Sequence, residues 1–407
     1  MTRDWVTTTV GAVASVKGGK RLPAGFALQD DPTPHPYIRV TDMRDGGVDE
    51  SGIRYVPVAA APAIRAYRIF KNDIFISVAG TLGIVGRIPP RLDGANLTEN
   101  ADRLTDIKCD VDYLSHYLRS APIQNEIDSI RTVGAQPKLA LGRIKKFELL
   151  LPGDRAEQRL IATALNDVDQ LIRRLDRLIA KKRAIKQGLA QELLTGRTRL
   201  PGFSGEWTTH RLSDLGNFLR GRGIKRDEVR PSGVPCIRYG ELYTTYADYT
   251  ASTVSYVDPS VAATALPIRP GDILFAGSGE TKEEIGMSVA YIGDAPAVAG
   301  GDIIVLRGDG YDPVFLAVLL NSPEVASRKA QGGQGDAVVH INWRVLANIE
   351  VTLPPPDEQR AIAGYLLDAD AEIEALGRRL ETARAIKQGM TQELLTGRTR
   401  LVAEGAA

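Results

Sequence analysis

Gln191-Glu-Leu-Leu-Thr-Gly-Arg-Thr-Arg-Leu200 returns letter for letter as Gln392-Glu-Leu-Leu-Thr-Gly-Arg-Thr-Arg-Leu401. Working backwards, Arg183-Ala-Ile-Lys-Gln-Gly188 recurs as Arg384-Ala-Ile-Lys-Gln-Gly389, and Glu157-Gln158-Arg159 as Glu358-Gln359-Arg360. The two segments align without a gap at an offset of 201, and 27 of their 44 positions are identical. Farther upstream only landmarks repeat: Trp5 with Trp207, Pro36-Tyr-Ile-Arg-Val40 with Pro235-Cys-Ile-Arg-Tyr239, and Asn72-Asp-Ile-Phe-Ile76 with Gly271-Asp-Ile-Leu-Phe275. The chain is two half-molecules, each a variable globular part followed by a near-constant tail. Repeats of about 200 residues are domains rather than units of a solenoid.

The tails read as long helices. Apolar positions step by four and three through Ile161, Leu165, Val168, Ile172, Leu175 and Ile179, then Leu189 and Leu193. The second copy keeps the phase with Ile362, Leu366, Ala369, Ile373, Leu376, Leu380, Ala383, Met390 and Leu394. A 3.5-residue average places one narrow seam along a helix, as a coiled coil requires. Pro152 and Pro354 to Pro356 precede the runs, Asp154 and Asp357 stand there as caps, and Gly196 and Gly397 sit where a C-terminal glycine belongs. Lys182, and Lys186 with its copy Lys387, interrupt the seam. They either mark where it opens to admit another protein or snorkel at the surface. About 40 residues at ~1.5 Å each make a rod of about 60 Å. Antiparallel rods would hold the domains at opposite ends, suiting a ligand with two separated sites such as duplex DNA; parallel rods would hold both at one end.

Composition gives bounds. With 43% hydrophobic and 25% charged residues the chain is of ordinary globular type. No apolar stretch is long enough to span a membrane, and Met1-Thr-Arg-Asp-Trp5 does not open a signal peptide, so a cytoplasmic location is expected. Cys109 and Cys236 are too few for a disulfide framework or zinc site and read as buried thiols, and His35, His116, His210 and His340 show no metal-ligand spacing. The net charge of +1 is uninformative, but Arg173 to Arg199 holds nine basic residues against Asp176 and Glu192, a solvated face or a surface near an anionic partner.

In its duplicated Leu-Pro…Glu-Gln-Arg entries, Gln-Glu-Leu-Leu-Thr-Gly endings and the landmarks Pro36-Tyr-Ile-Arg-Val-Thr-Asp42 and Gly271-Asp-Ile-Leu-Phe275, the whole chain resembles the specificity subunit of a type I restriction-modification system. Each variable part mixes short β-rich runs, Ile74 to Ala79 and Asp302 to Leu306, with helical segments, Val111 to Ser120 and Pro313 to Leu320, and so reads as an α/β (α+β) domain. The resemblance implies that these parts are two target recognition domains, residues 1–153 and 201–355. It also implies two conserved helices, 154–200 and 356–402, forming an antiparallel coiled coil with pseudo-twofold repetition, ahead of a tail at 403–407. It further implies that each domain reads one half of a bipartite DNA sequence and that the chain has no catalytic activity or cofactor of its own. Two methyltransferase subunits using S-adenosylmethionine, and motor-nuclease subunits using ATP and magnesium, are the implied partners.

Residues agree with a non-catalytic reading: neither an Asn/Asp-Pro-Pro-Tyr/Phe segment with a glycine-rich cofactor loop nor a phosphate-binding Gly-x-x-x-x-Gly-Lys-Ser/Thr is present. Reading DNA requires side chains that reach base edges and basic groups for phosphates. The candidates in the first domain are Lys20, Arg21, Arg39, Thr41, Thr81, Gln136 and Lys138. In the second they are Arg222, Lys225, Arg226, Arg238, Tyr239, Ser278, Thr281, Lys282, His340 and Asn342. Arg39 and Arg238 occupy matching positions where a structural pairing competes with a DNA contact. On the helices, Lys182, Lys186, Gln187, Leu194, Thr195, Lys387, Gln388, Leu395 and Thr396 are candidates for subunit contact. Two other readings are a coiled-coil adaptor between proteins and a metal-dependent nuclease built on Asp272, Glu280 and Lys282.

Overall fold

The computed structural model describes residues 5–131, 137–282, 284–335 and 338–401. Two compact units emerge, Met1–Arg177 with Gly377–Ala407, and Leu178–Leu376. Each unit combines one globular part with a portion of both long helices, Arg155–Leu194 and Pro356–Leu395. The apolar runs seen in the sequence form these helices, and Gly196 and Gly397 follow them at φ +68° and +72°. That left-handed backbone is open to glycine and strained for other residues.

In the first unit, Ile74–Ser77 lies inside an antiparallel sheet ordered Ser15–Gly18, Ala101–Thr105, Ile74–Ser77, Val85–Arg87. Its unbroken apolar run signals burial on both faces. Ile74 and Ile76 join Tyr113, Leu114 and Leu118 in one core, while Phe75 points into another with Ile38, Met43 and Leu97. A mixed sheet adds Arg54–Tyr55, Pro36–Ile38, Ala95–Leu97 and Arg68–Ile69. Val6–Thr9 pairs antiparallel with Glu148–Leu151, closing the domain just before the long helix.

The second unit repeats this plan in two five-stranded sheets. Ile273–Ala276 is central to the first, between Ile303–Arg307 and Ser288–Tyr291, and splits its side chains between two cores in the same way. Thr208–Arg211 pairs with Glu350–Leu353 at the domain exit. The stretch Pro313–Leu320, expected to be helical, is a fully formed helix.

Within each unit the helix portions run antiparallel, and the duplicated letters have a physical role. Arg400 grips buried Glu157 with bonds of 2.8 and 2.6 Å, and Arg199 grips Glu358, whose side chain is wholly buried. Gln158 accepts the Asp110 N–H and donates to the Pro152 carbonyl; Gln359 does the same with Asp312 and Pro354. Asp110 and Asp312 cap the helices Val111–Leu118 and Pro313–Leu320, so the Glu-Gln dipeptide joins each domain to its helix pair.

The interrupting lysines are committed to the facing helix. Lys186 meets Asp370 at 2.6 Å, and Lys387 meets Asp169 at 2.7 Å, the same pair under the 201-residue offset. Lys182 bonds Glu372 at 2.8 Å in a largely exposed pair of little energetic weight. The globular parts reach the same aspartates differently, through Arg119 to Asp169 in the first unit and the Tyr249 hydroxyl to Asp370 in the second. Burial raises the Asp169 carboxyl, but Arg119 and Lys387 outweigh it and hold the group below the ordinary range.

Removing Arg400 would strand a buried carboxylate. Arg400→Met is expected to destabilise the protein by about 2 kcal/mol, less than for a fully buried pair because Arg400 is partly exposed. Urea unfolding that gave wild-type stability would refute this. A second expectation concerns Lys329, which is 1% exposed and donates to the Gly286 carbonyl, Ser288 Oγ and Asn321 Oδ1. Burial pushes its ammonium down to about 7. The unfolded chain therefore binds one more proton than the folded one between about pH 7 and the ordinary lysine range, and stability should rise with pH across that window by up to about 1.4 kcal/mol per unit. Lys329→Met should lose this slope, which unfolding at pH 6.5 and pH 9 would reveal.

Candidate nucleic-acid interface

The structure gathers some candidate residues and separates others. In the first domain Lys20, Arg21 and Lys138 line an open pocket of about 480 Å³ together with Gly18, Val78, Glu99 and Asp102. Arg21 pairs with Glu99 at 3.1 Å, and Lys20 lies over the Tyr67 ring. Thr81 is exposed at the tip of the turn joining Ile74–Ser77 to Val85–Arg87. Thr41 is exposed, and its carbonyl accepts from Arg44. Gln136 lies outside the described residues.

The matched arginines are held by carboxylates one turn on. Arg39 chelates Asp42 and also donates to the Gly52 carbonyl, while Arg238 bonds Glu241 at 2.8 Å. Both carboxylates are buried, and each also accepts its arginine's own backbone N–H. The structural pairing therefore has a full account at both positions.

In the second domain two pockets share Asp302. One, of about 550 Å³, is bordered by Arg226, Arg238, Tyr239, Glu241 and Ile224. Its rim loop carries Arg222, Lys225 and Arg226, all exposed. Ile224 in that loop holds φ +58°, a costly conformation for a β-branched side chain, and its burial among Cys236, Val257 and Val298 pins it there. The other pocket, of about 580 Å³, is lined by Phe218, Arg220, Gln334, His340, Asn342, Trp343 and Arg344. Ser278 is buried and its Oγ lies 2.8 Å from His340 Nδ1, so it orients the imidazole from below. Asn342 caps the helix Trp343–Ala347 by accepting the Arg344 N–H. Thr281 and Lys282 are exposed beyond the Ser278–Gly279 strand.

The nuclease set is not assembled. Asp272 is 1% exposed, and both its oxygens are taken by Arg307 at 2.8 and 2.6 Å. Among the described residues no group of three His, Cys, Asp or Glu side chains is placed to hold a metal ion. Both cysteines are buried free thiols, pushed up to about 11 by burial.

Sequence reasoning missed Asp102, Phe218, Trp343 and Arg344. Asp102 in Ala101–Thr105 passes for the polar side of an ordinary strand. Aligning the domains by strand register, rather than by letters, finds it, because it takes the place that Ile304 holds in the second domain.

On the helices, Gln187 and Gln388 are exposed, as are Ile185 at 43% and Ile386 at 52%. Leu194 and Leu395 are core residues of their own units instead, and Thr195 and Thr396 bond backbone carbonyls one turn back. Gly188 and Gly389 have open space where a Cβ would stand.

Each domain carries an open polar pocket at a strand end, and within each unit the domain is joined to antiparallel portions of the two long helices. The model of the type I restriction modification DNA specificity domain matches residues 2–183 and again 204–383, and the chain belongs to that family. It is 23% identical over 424 residues to the type I restriction enzyme MjaVIII specificity subunit of Methanocaldococcus jannaschii, covering 98% of this chain and 93% of that protein. The putative MjaX specificity subunit of the same organism is 24% identical, covering 90% and 88%. Among solved structures, the S subunit of a type I restriction-modification system from M. genitalium superposes with a TM-score of 0.62 at 18% identity, over 97% of this chain and 96% of that one. No helix of the described residues is long and apolar enough to cross a membrane.

Proposed function

We propose that the chain is the DNA sequence-recognition subunit of a type I restriction-modification complex. Each globular domain reads one half of a bipartite, asymmetric site, and the chain directs methyltransferase and endonuclease subunits to it. The observation that carries this reading is the contrast between duplicated parts. Residues joining domain to helices are repeated identically, whereas the lining of the domain pockets differs at nearly every position. A scaffold kept twice with two different readers suits an asymmetric site, since base contacts specify and backbone contacts only position. The chemistry, with S-adenosylmethionine, ATP and magnesium, belongs to the partner subunits, and the complex acts in the cytoplasm. The duplicated surface of Ile185, Gln187 and Gly188, and of Ile386, Gln388 and Gly389, gives two equivalent seats and supports two methyltransferase subunits per chain.

Replacing residues 1–153 by the first domain of another family member is expected to change one half of the methylated motif, read by single-molecule sequencing of DNA from cells that also express the cognate methyltransferase subunit. A change in both halves would contradict two independent readers. Gly188→Ala with Gly389→Ala should stabilise the free chain by about 1 kcal/mol per site, as exposed helix glycines do. The same double variant should weaken capture of the methyltransferase subunit; undiminished capture would place that partner elsewhere.

A further inference from the structure

The first-domain pocket holding Lys20 and the second-domain pocket holding Trp343 are the same place in the fold. Strand register shows it. Gly18 pairs with Asp102, and Arg220 with Ile304, at the ends of equivalent strands. Gly19 and Gly221 each donate to the carbonyl just ahead of the central strand residues, Ala101 and Ile303. Leu139 donates to the Val78 carbonyl at 2.9 Å, and Ile341 to that of Gly277 at 3.0 Å. Lys138 therefore corresponds to His340, Ala140 to Asn342 and Leu141 to Trp343, and every one of these residues lines its pocket.

Corresponding backbone positions carry unlike chemistry. In the first domain Asp102 is 6% exposed and lines the pocket, and among the described residues none donates a hydrogen bond to its carboxylate. The carboxylate opens onto the pocket, where a ligand's N–H can replace water as its donor. Lys20 and Lys138 stand beside it on the same pocket wall, exposed and suited to phosphate. In the second domain the apolar Ile304 replaces Asp102, and Trp343, 45% exposed, lies tilted by 32° to Phe218 with ring centroids 6.2 Å apart. His340 and Asn342 add polar groups, and Arg220 and Arg344 add positive charge.

We infer that this twinned pocket is the principal base-reading position of each domain. Asp102 accepts a hydrogen bond from the exocyclic amine of a cytosine or adenine in one half-site, and Trp343 makes an apolar or stacking contact with a base in the other. The inference rests on the DNA-recognition reading above and adds which residues set each half-site. Both pockets fall within the ~300–1,000 Å³ typical of ligand sites. Carboxylate acceptance from an exocyclic amine, apolar contact with a base and base–aromatic stacking are established modes of base recognition.

The test uses the complete chain with its methyltransferase subunit in cells, with methylated motifs read by single-molecule sequencing. Asp102→Asn keeps the shape and replaces one acceptor oxygen by a donor. It is expected to relax or change one base position, with about a tenfold loss of discrimination, in the half-motif that responds to exchange of the first domain. The other half and the spacer should stay unchanged. Trp343→Leu installs the side chain found at the matching first-domain position and should alter one position in the other half only. Motifs identical to wild type in both variants, or changes in the opposite halves, overturn the inference. Should the Asp102→Asn chain fail to accumulate, Trp343→Leu decides alone, since its exposed side chain is not needed for the core. A wild-type chain that yields no bipartite motif beside an active methyltransferase subunit would instead remove the underlying reading.

Discussion

A buried glutamate at the start of each long helix sets the condition on which the architecture depends. Glu157 and Glu358 are almost wholly enclosed, and a carboxylate so placed must meet a cation with good geometry or lose several kcal/mol. The cation is an arginine from the end of the other tail, Arg400 or Arg199, and it arrives only when the helix portions run antiparallel in one register. Asp169 with Lys387 and Asp370 with Lys186 repeat the demand farther along. Apolar seams alone tolerate sliding and reversal, whereas four charge pairs at fixed heights do not.

The same dipeptide transmits this order to the globular parts. The glutamine following each buried glutamate holds the first turn of a domain helix and the carbonyl preceding its own helix. These hydrogen bonds to backbone tie each domain to its helix portion without using the domain's side chains, beside the Arg119–Asp169 and Tyr249–Asp370 contacts that differ between the units. That leaves the strand ends and loops free to differ between the two domains.

Divergence is visible where the two domains solve one problem differently. The domain contact to the helix aspartate is an arginine in one unit and a tyrosine hydroxyl in the other. The pocket wall is a carboxylate in one and an isoleucine with tryptophan nearby in the other. Arg39 and Arg238, by contrast, stay the same because each ties its own strand end to the following turn through a buried carboxylate.

Duplication, helix phase, the two-domain plan and the absence of catalytic motifs were legible in the letters, because periodicity and identity are local, one-dimensional properties. The runs Ile74–Ser77 and Pro313–Leu320 were legible for the same reason. The role of Lys186 and Lys387 was not, since an ion pair across an antiparallel seam joins residues 184 and 218 positions apart in sequence (370 − 186 and 387 − 169). Nor was the burial of Leu194 and Leu395, which looked available to a partner until the domain cores closed over them. Asp102 and Trp343 became comparable only once strand register replaced alignment by letters, because backbone hydrogen bonds preserve position where side chains have changed.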